Sequence, residues 1–407
     1  MLVVFLLLLI AVALISDGLA AVEGFLLLQV HPARLINDFF QIAGVGAALL
    51  NGAVVGLMGL ALIRLSGIPV SGPTYAAVLT MTGFGLFGKT PLNILPILTG
   101  VFIAARFMRK TFSSYLIIAL FGTALGPLIS FAAWELGLAL VPALLLGSGA
   151  GLIIGFLLPA LAVSMLHLHQ GYNLYNMGLT CGFLGLFAFA VLKGFGAGFP
   201  GILHWYEGSA PAARFTVPAL SIALLLTGLI RGGRGVFKDL LGIQKIPGRL
   251  PSDFTDMAST PAAMINSGLI GLVGSLYVLI AGAAFSGPVV GGLLTIMGFG
   301  AFGTHLRNSW PVLAGVVSAT LLTGNQLHAP GPILAAIFGT TLSPVAGQFG
   351  ILTGFIAGFI HFLMVMQTGA WSGGMNLYNN GFAGGLTAAL IVSIIQWYKN
   401  NREEFRR

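Results

Sequence analysis

The chain has 407 residues, of which 57% are hydrophobic and only 7% charged, with a mean hydropathy of +0.99 and a net charge of +8. A soluble domain carries about a quarter charged residues, so that class is excluded, and apolar stretches along the whole length make this an all-α, polytopic membrane protein. The single cysteine, Cys181, excludes a disulfide framework or a cysteine-built metal site, and the basic excess falls in short clusters between apolar segments, where it reports topology rather than nucleic-acid binding.

Residues 1–33 form the first element. Met1 to Val30 is one apolar stretch, interrupted by Asp17 and Glu23, with no Lys or Arg ahead of it. A secretory signal normally opens with a basic region, so the stretch reads as an uncleaved membrane helix whose two acids face protein or the interface.

From Arg34 the chain repeats itself, and such a repeat decides the architecture. Arg34-Leu35-x-x-Asp38-Phe39 recurs 215 residues later as Arg249-Leu250-x-x-Asp253-Phe254, and the offset holds through 51–100, where 19 of 50 positions are identical. Asn51 matches Asn266, Ser71-Gly72-Pro73 matches Ser286-Gly287-Pro288, and Asn93 matches Asn308. Further on, Phe121-Gly122-Thr123 pairs with Phe338-Gly339-Thr340, and Asn173-Leu174-Tyr175-Asn176 with Asn376-Leu377-Tyr378-Asn379. The chain therefore divides into homologous repeats at 34–195 and 249–398, a linker at 196–248 and a tail at 399–407.

Apolar segments long enough to span fall near 38–64, 70–88, 92–107, 112–135, 140–166 and 178–195, with one more in the linker at 215–231. Six segments plus the linker segment make seven crossings, so the second repeat enters from the opposite face. The expectation is an inverted-topology repeat of about 12–14 membrane segments, some re-entrant. Charge agrees, because Lys and Arg accumulate on the cytoplasmic side. Arg106, Arg109 and Lys110, the linker cluster Arg231, Arg234, Lys238, Lys245 and Arg249, and Lys399, Arg402, Arg406 and Arg407, with Arg64 and Arg307, make 14 of the 18 inside, leaving Arg34, Lys89, Lys193 and Arg214 outside.

Inverted repeats characterise transporters and channels, with the solute pathway between the halves. The twin Asn-Leu-Tyr-Asn followed by Gly178 or Gly381 is the most specific feature. It is either a repeated helix cap or a pair of breaks presenting Asn173, Tyr175 and Asn176, with Asn376, Tyr378 and Asn379, to a central passage. An amide offers both donor and acceptor, which suits a small uncharged polar solute. Thr80 with Gly83-Phe84-Gly85-x-Phe87-Gly88, repeated as Thr295 with Gly298-Phe299-Gly300-x-Phe302-Gly303, reads either as close helix packing or as a phenylalanine constriction with Thr hydroxyls on the permeant.

His167, His169 and Gln170 precede the first motif, and His361 and Gln367 lie in the corresponding second-half segment. Satisfied polar residues are the plainer reading, beside a proton relay. No nucleotide loop or metalloprotease motif is present, and the repeats carry only Asp38, Glu135, Asp253 and Asp256 as carboxylates. No catalytic residue, cofactor or metal is expected. The partners are a small-molecule solute and the lipid bilayer. An ion-coupled transporter using Asp38, Asp253 or the histidines is the rival. A lipid-modifying enzyme using His167 and Glu135 is a more distant one.

The whole chain resembles an uncharacterised bacterial multi-spanning membrane family of unknown function. The stretch His-Gln-Gly-Tyr172-Asn173-Leu-Tyr-Asn176-Met-Gly178, with its weaker second-half partner, also resembles the glycine-tyrosine-asparagine repeat of bacterial urea transporters. That resemblance implies a passive, homo-oligomeric channel in a bacterial plasma membrane. Asn173, Asn176, Phe84 and Phe87 and their partners would line its filter.

Overall fold

The computed structural model describes residues 1–402; Arg406 and Arg407 of the terminal basic cluster lie outside the described residues. The first segment is two helices rather than one. α1 (Leu2–Asp17) and α2 (Leu19–Gln29) meet at 112°, hinged on Gly18, whose φ of +55° favours glycine. Asp17 at this corner accepts a hydrogen bond from Gly46 N at 2.8 Å, an anion set at the start of the next long helix, while Glu23 is exposed.

After the short α3 (Phe39–Ala43) come α4 (Val45–Leu65), α5 (Gly72–Phe84) and α6 (Pro91–Phe107). The segment expected at 112–135 is broken into α7 (Leu116–Gly122) and α8 (Gly126–Trp134) by a 3-10 turn at Thr123–Leu125. Pro127, which has no N–H to give, follows the break. α9 (Leu140–His169) and α10 (Asn176–Gly194) complete the first half, and α11 (Pro211–Gly232) and α12 (Val236–Ile243) follow.

The second half runs α13 (Phe254–Met257), α14 (Thr260–Ile280), α15 (Gly287–Phe299), α16 (Leu306–Leu322), α17 (Pro330–Phe338), α18 (Ser343–Phe349), α19 (Ile351–Trp371) and α20 (Asn379–Arg402). Among the described residues nine segments are long and apolar enough to cross a membrane, and the bent α1–α2 pair is a tenth candidate. The chain is a multi-span helical membrane protein. α5 and α15, of 13 residues each, reach only about 20 Å against a hydrocarbon core of about 30 Å. They lie in the interior against each other, where the irregular backbone at their ends is enclosed by protein.

α1 to α10 recur in order as α11 to α20. The correspondence begins upstream of Arg34. Gly233, 215 residues after Gly18, also has a φ of +55°, and Gln29 donates to Asn51 Oδ1 at 3.3 Å as Gln244 donates to Asn266 Oδ1 at 3.1 Å. The N-terminal segment and the linker helices thus correspond to one another.

Contacts between the halves return with the partners exchanged, which is what a two-fold relation produces. Both oxygens of Asp38 accept from Gly287 N at the start of α15 (3.1 and 3.2 Å), and both oxygens of Asp253 accept from Gly72 N at the start of α5 (3.2 and 3.1 Å). The two acids therefore serve as N-terminal anions for the central helices. α5 and α15 cross so closely that a Cβ on Gly83 would stand 2.4 Å from Gly291 O, and one on Gly291 2.3 Å from Gly83 O. Only glycine permits that approach.

Candidate functional site at the centre of the molecule

The turns after α5 and α15 are built from buried amides. Asn51 on α4 donates to Gly85 O (2.6 Å) and Lys89 O (2.8 Å), and Asn266 on α14 donates to Gly300 O (2.7 Å) and Thr304 O (2.8 Å). Asn93 accepts from Thr90 N and donates to Gly88 O, both at 2.9 Å, and Asn308 does the same with His305 N and Gly303 O. These bonds hold carbonyls that the helices leave free. They also fix the direction of the phenylalanines on each turn.

Those phenylalanines form a continuous aromatic wall. Phe84 packs on Phe87 (ring centroids 4.9 Å) and Tyr378 (4.7 Å), and Phe299 packs on Phe302 (4.7 Å) and Tyr175 (4.4 Å). The repeat partners Tyr175 and Tyr378 meet at 5.2 Å, and Gly178 and Gly381 of the same motifs lie face to face. Phe338 reaches Phe84 at 6.0 Å and Phe121 reaches Phe299 at 5.8 Å, completing the wall from the broken helices. All eight rings are buried. Phe121 and Phe338 were not among the candidate site residues, although their place in the repeat marked them.

A cavity lies on each side of this wall. One of about 750 Å³ is lined by Arg34, Phe87, Lys193, Phe338, Leu377 and Asn379. The other, of about 250 Å³, is lined by Phe121, Leu174, Tyr175, Asn176, Leu250 and Phe302. Phe87 and Phe302, Phe338 and Phe121, Leu377 and Leu174, and Asn379 and Asn176 are repeat partners, so the same positions line both. The smaller cavity carries no charged side chain. In the larger, Arg34 is held by Glu135 in a bidentate pair (2.6 to 3.0 Å) and by the carbonyls of Gly373 and Pro200.

The twin motif divides into two roles. Asn173 and Asn376 face backbone: Asn173 donates to Tyr175 O and Gly381 O and accepts from Thr341, while Asn376 donates to Gly178 O and accepts from Tyr378 N. They hold the breaks in shape and do not line either cavity, contrary to what the urea-transporter resemblance implies. Asn176 and Asn379 do line the cavities, one each. Neither is a helix cap; each is the first helical residue and donates sideways, to Ala162 O at 3.0 Å and Val365 O at 3.3 Å. Asn176 Oδ1 is paired with His169 Nε2 at 2.9 Å, whereas Asn379 Oδ1 is buried without a partner.

The threonines do not act as a pair. Tyr378 donates to Thr80 Oγ1 at 3.4 Å, but Thr295 turns back to Gly291 O of its own helix at 2.8 Å. The histidines are dispersed: His169 is on Asn176, His361 on Asn380 at 3.3 Å, and His167 and Gln367 are exposed. Lys89, expected outside, is fully buried beside Phe84.

No curated protein and no solved structure matches the chain, so the urea-transporter likeness rests on the short motif alone. A family model matches residues 19–194 and 233–397, beginning in each half within or just ahead of the corresponding helices α2 and α12. The chain belongs to this family, described as "Protein of unknown function (DUF1576)".

Proposed function

We propose that this protein passes a small, polar, uncharged solute across a bacterial plasma membrane, by a route that runs from one cavity to the other through the aromatic wall. The observation that carries this reading is the pair of repeat-related cavities on either side of a closed wall, each presenting one amide of the twin motif. Buried amides without a full set of partners are costly, and the free Asn379 Oδ1 is such a group, placed where a solute N–H would satisfy it.

The direction of the route follows from charge. Arg249 lies at the smaller cavity's end, donating to Gln170 O, and Gln170 bonds Gln396 near the basic end of α20. Met1, Arg64 and Arg231 share one peripheral cavity with Thr255 and Thr260, close to Asp253. The larger cavity instead meets Arg34, Lys193 and the 197–202 segment. On the positive-inside rule the smaller cavity faces the cytoplasm and the larger the outside, and the exchange of partners between the halves supports an inverted topology.

Asp38 and Asp253 are spent on helix ends, which weighs against their use as coupling sites. Glu135 and His167 stand at opposite ends of α9, about 40 Å apart by helical rise, which weighs against a shared enzymatic site. The test is stopped-flow light scattering on proteoliposomes challenged with urea, formamide and glycerol. Flux of at least one solute, lowered about tenfold or more by Asn379→Ala and less by Asn176→Ala, is expected. Flux equal to protein-free vesicles for all three would refute the reading for this solute class.

A further inference from the structure

The two turns after the central helices are matched in backbone and in their asparagine bonds, yet differ at two positions, Leu86 against Ala301 and, with a change of charge, Lys89 against Thr304. Lys89 occupies in the first half the place of Thr304 in the second. Lys89 is 0% exposed, and the hydrogen bond of its ammonium is a long one, 3.5 Å to Leu120 O at the end of the broken helix α7. An ammonium has three donors, and a buried charge without partner or counter-ion is expensive.

What faces it is defined. α5 supplies the ring of Phe84, with the nitrogen 5.2 Å from its centroid. α7 supplies the Leu120 carbonyl, and α10 supplies Cys181, whose thiol donates to Gly122 O at 3.8 Å. Beyond Phe84 stands Tyr378. The two carboxylates of the first repeat are committed elsewhere, Asp38 to the backbone N–H groups of Phe40, Tyr206 and Gly287, and Glu135 to Arg34. Among the described residues no acid pairs with Lys89.

Its turn borders the larger cavity. Phe87 lines the larger cavity, and Gly88 abuts Leu377, which lines it too. Phe84 lies between the ammonium and Tyr378, so a charge on Lys89 draws the ring by cation–π attraction and is felt by the wall itself.

We infer that Lys89 is a proton-carrying site that couples solute passage to a proton gradient. This rests on the transport reading above and changes its energetics. Lys89 Nζ takes a proton from water of the larger cavity, the charged nitrogen holds Phe84 in its place in the wall by cation–π attraction, and release of the same proton towards the other side frees the ring. One N–H bond forms and the same bond breaks in each cycle.

The test uses proteoliposomes of the full chain carrying wild type, Lys89→Thr (the residue of the second half) and Lys89→Arg, with urea, formamide and glycerol as probes. An inward proton gradient is expected to raise wild-type initial uptake several-fold. An uncoupler should abolish that gain. Lys89→Thr should lose the gradient response while keeping solute counterflow, which needs no proton. Wild-type uptake indifferent to the gradient, or a Lys89→Thr protein that still responds, would overturn the inference and leave the pathway standing. Proton uptake by the detergent-solubilised protein after an acid pulse reads Lys89 without any solute. A smaller uptake in Lys89→Thr than in wild type supports the site, and equal uptake refutes it even where no probe is carried.

Discussion

The turn Gly85–Lys89 and the turn Gly300–Thr304 are the most informative pair in the molecule. Each is held by an asparagine from the preceding long helix and another from the following one, with bond lengths that agree within 0.1 Å. Each leads from one phenylalanine to a second, into the same wall. The side chain at the end of the turn differs, a buried ammonium on one side and a buried hydroxyl without a partner on the other. The two cavities differ in the same sense, about 750 against about 250 Å³. Framework is what the repeat keeps, and chemistry is where the halves part.

If the framework is shared, matched substitutions should cost the same in both halves. Gly83→Val and Gly291→Val each force a side chain into opposing backbone, a displacement that cannot be relieved by a rotamer. Both should cost more than about 4 kcal/mol and leave little folded protein on size exclusion in detergent. Survival of one but not the other would break the equivalence of the halves.

Arg34 and Arg249 are repeat partners that the structure uses unequally. Arg34→Ala strands Glu135 beside the larger cavity, so a loss of about 3–5 kcal/mol is expected. Arg249 is exposed, over Tyr172 at 4.6 Å, and its loss should cost about 1 kcal/mol or less. Thermal unfolding in one detergent compares the two. Asn51→Ala and Asn266→Ala should cost about as much as Arg34→Ala. Each frees two buried carbonyls, at about 1–3 kcal/mol per unsatisfied group, and the pair should agree within about 1 kcal/mol.

The repeat from Arg34 onward and most helix boundaries were legible in the sequence because glycine, proline and asparagine mark turns whatever surrounds them, but the break at Thr123–Leu125 was not. The wall was legible in part for the same reason, through Phe84, Phe87, Phe299 and Phe302 beside their glycines. Depth was not legible. In a membrane protein an apolar helix is apolar on every face, so periodicity does not separate lipid-facing from buried residues. Lys89 follows a glycine-rich turn and therefore reads as an outside loop, whereas two asparagines draw that turn into the interior. The split of the twin motif, with Asn173 and Asn376 on backbone and Asn176 and Asn379 on the cavities, depends on which carbonyls the folded chain leaves free. The bend at Gly18 was marked only by the Asp17-Gly18 pair, which inside a long apolar stretch reads as one membrane helix carrying an acid.

The most direct test of the pathway asks which side of the membrane each cavity faces. In a background with Cys181→Ser, single cysteines replace Asn379 and Asn176 in turn, and intact cells or oriented vesicles are treated with a membrane-impermeant thiol reagent. Labelling of Asn379→Cys from outside only, and of Asn176→Cys from inside only, is the expected result. Labelling of both from the same side would place the two cavities on one face of the membrane and contradict a route between them.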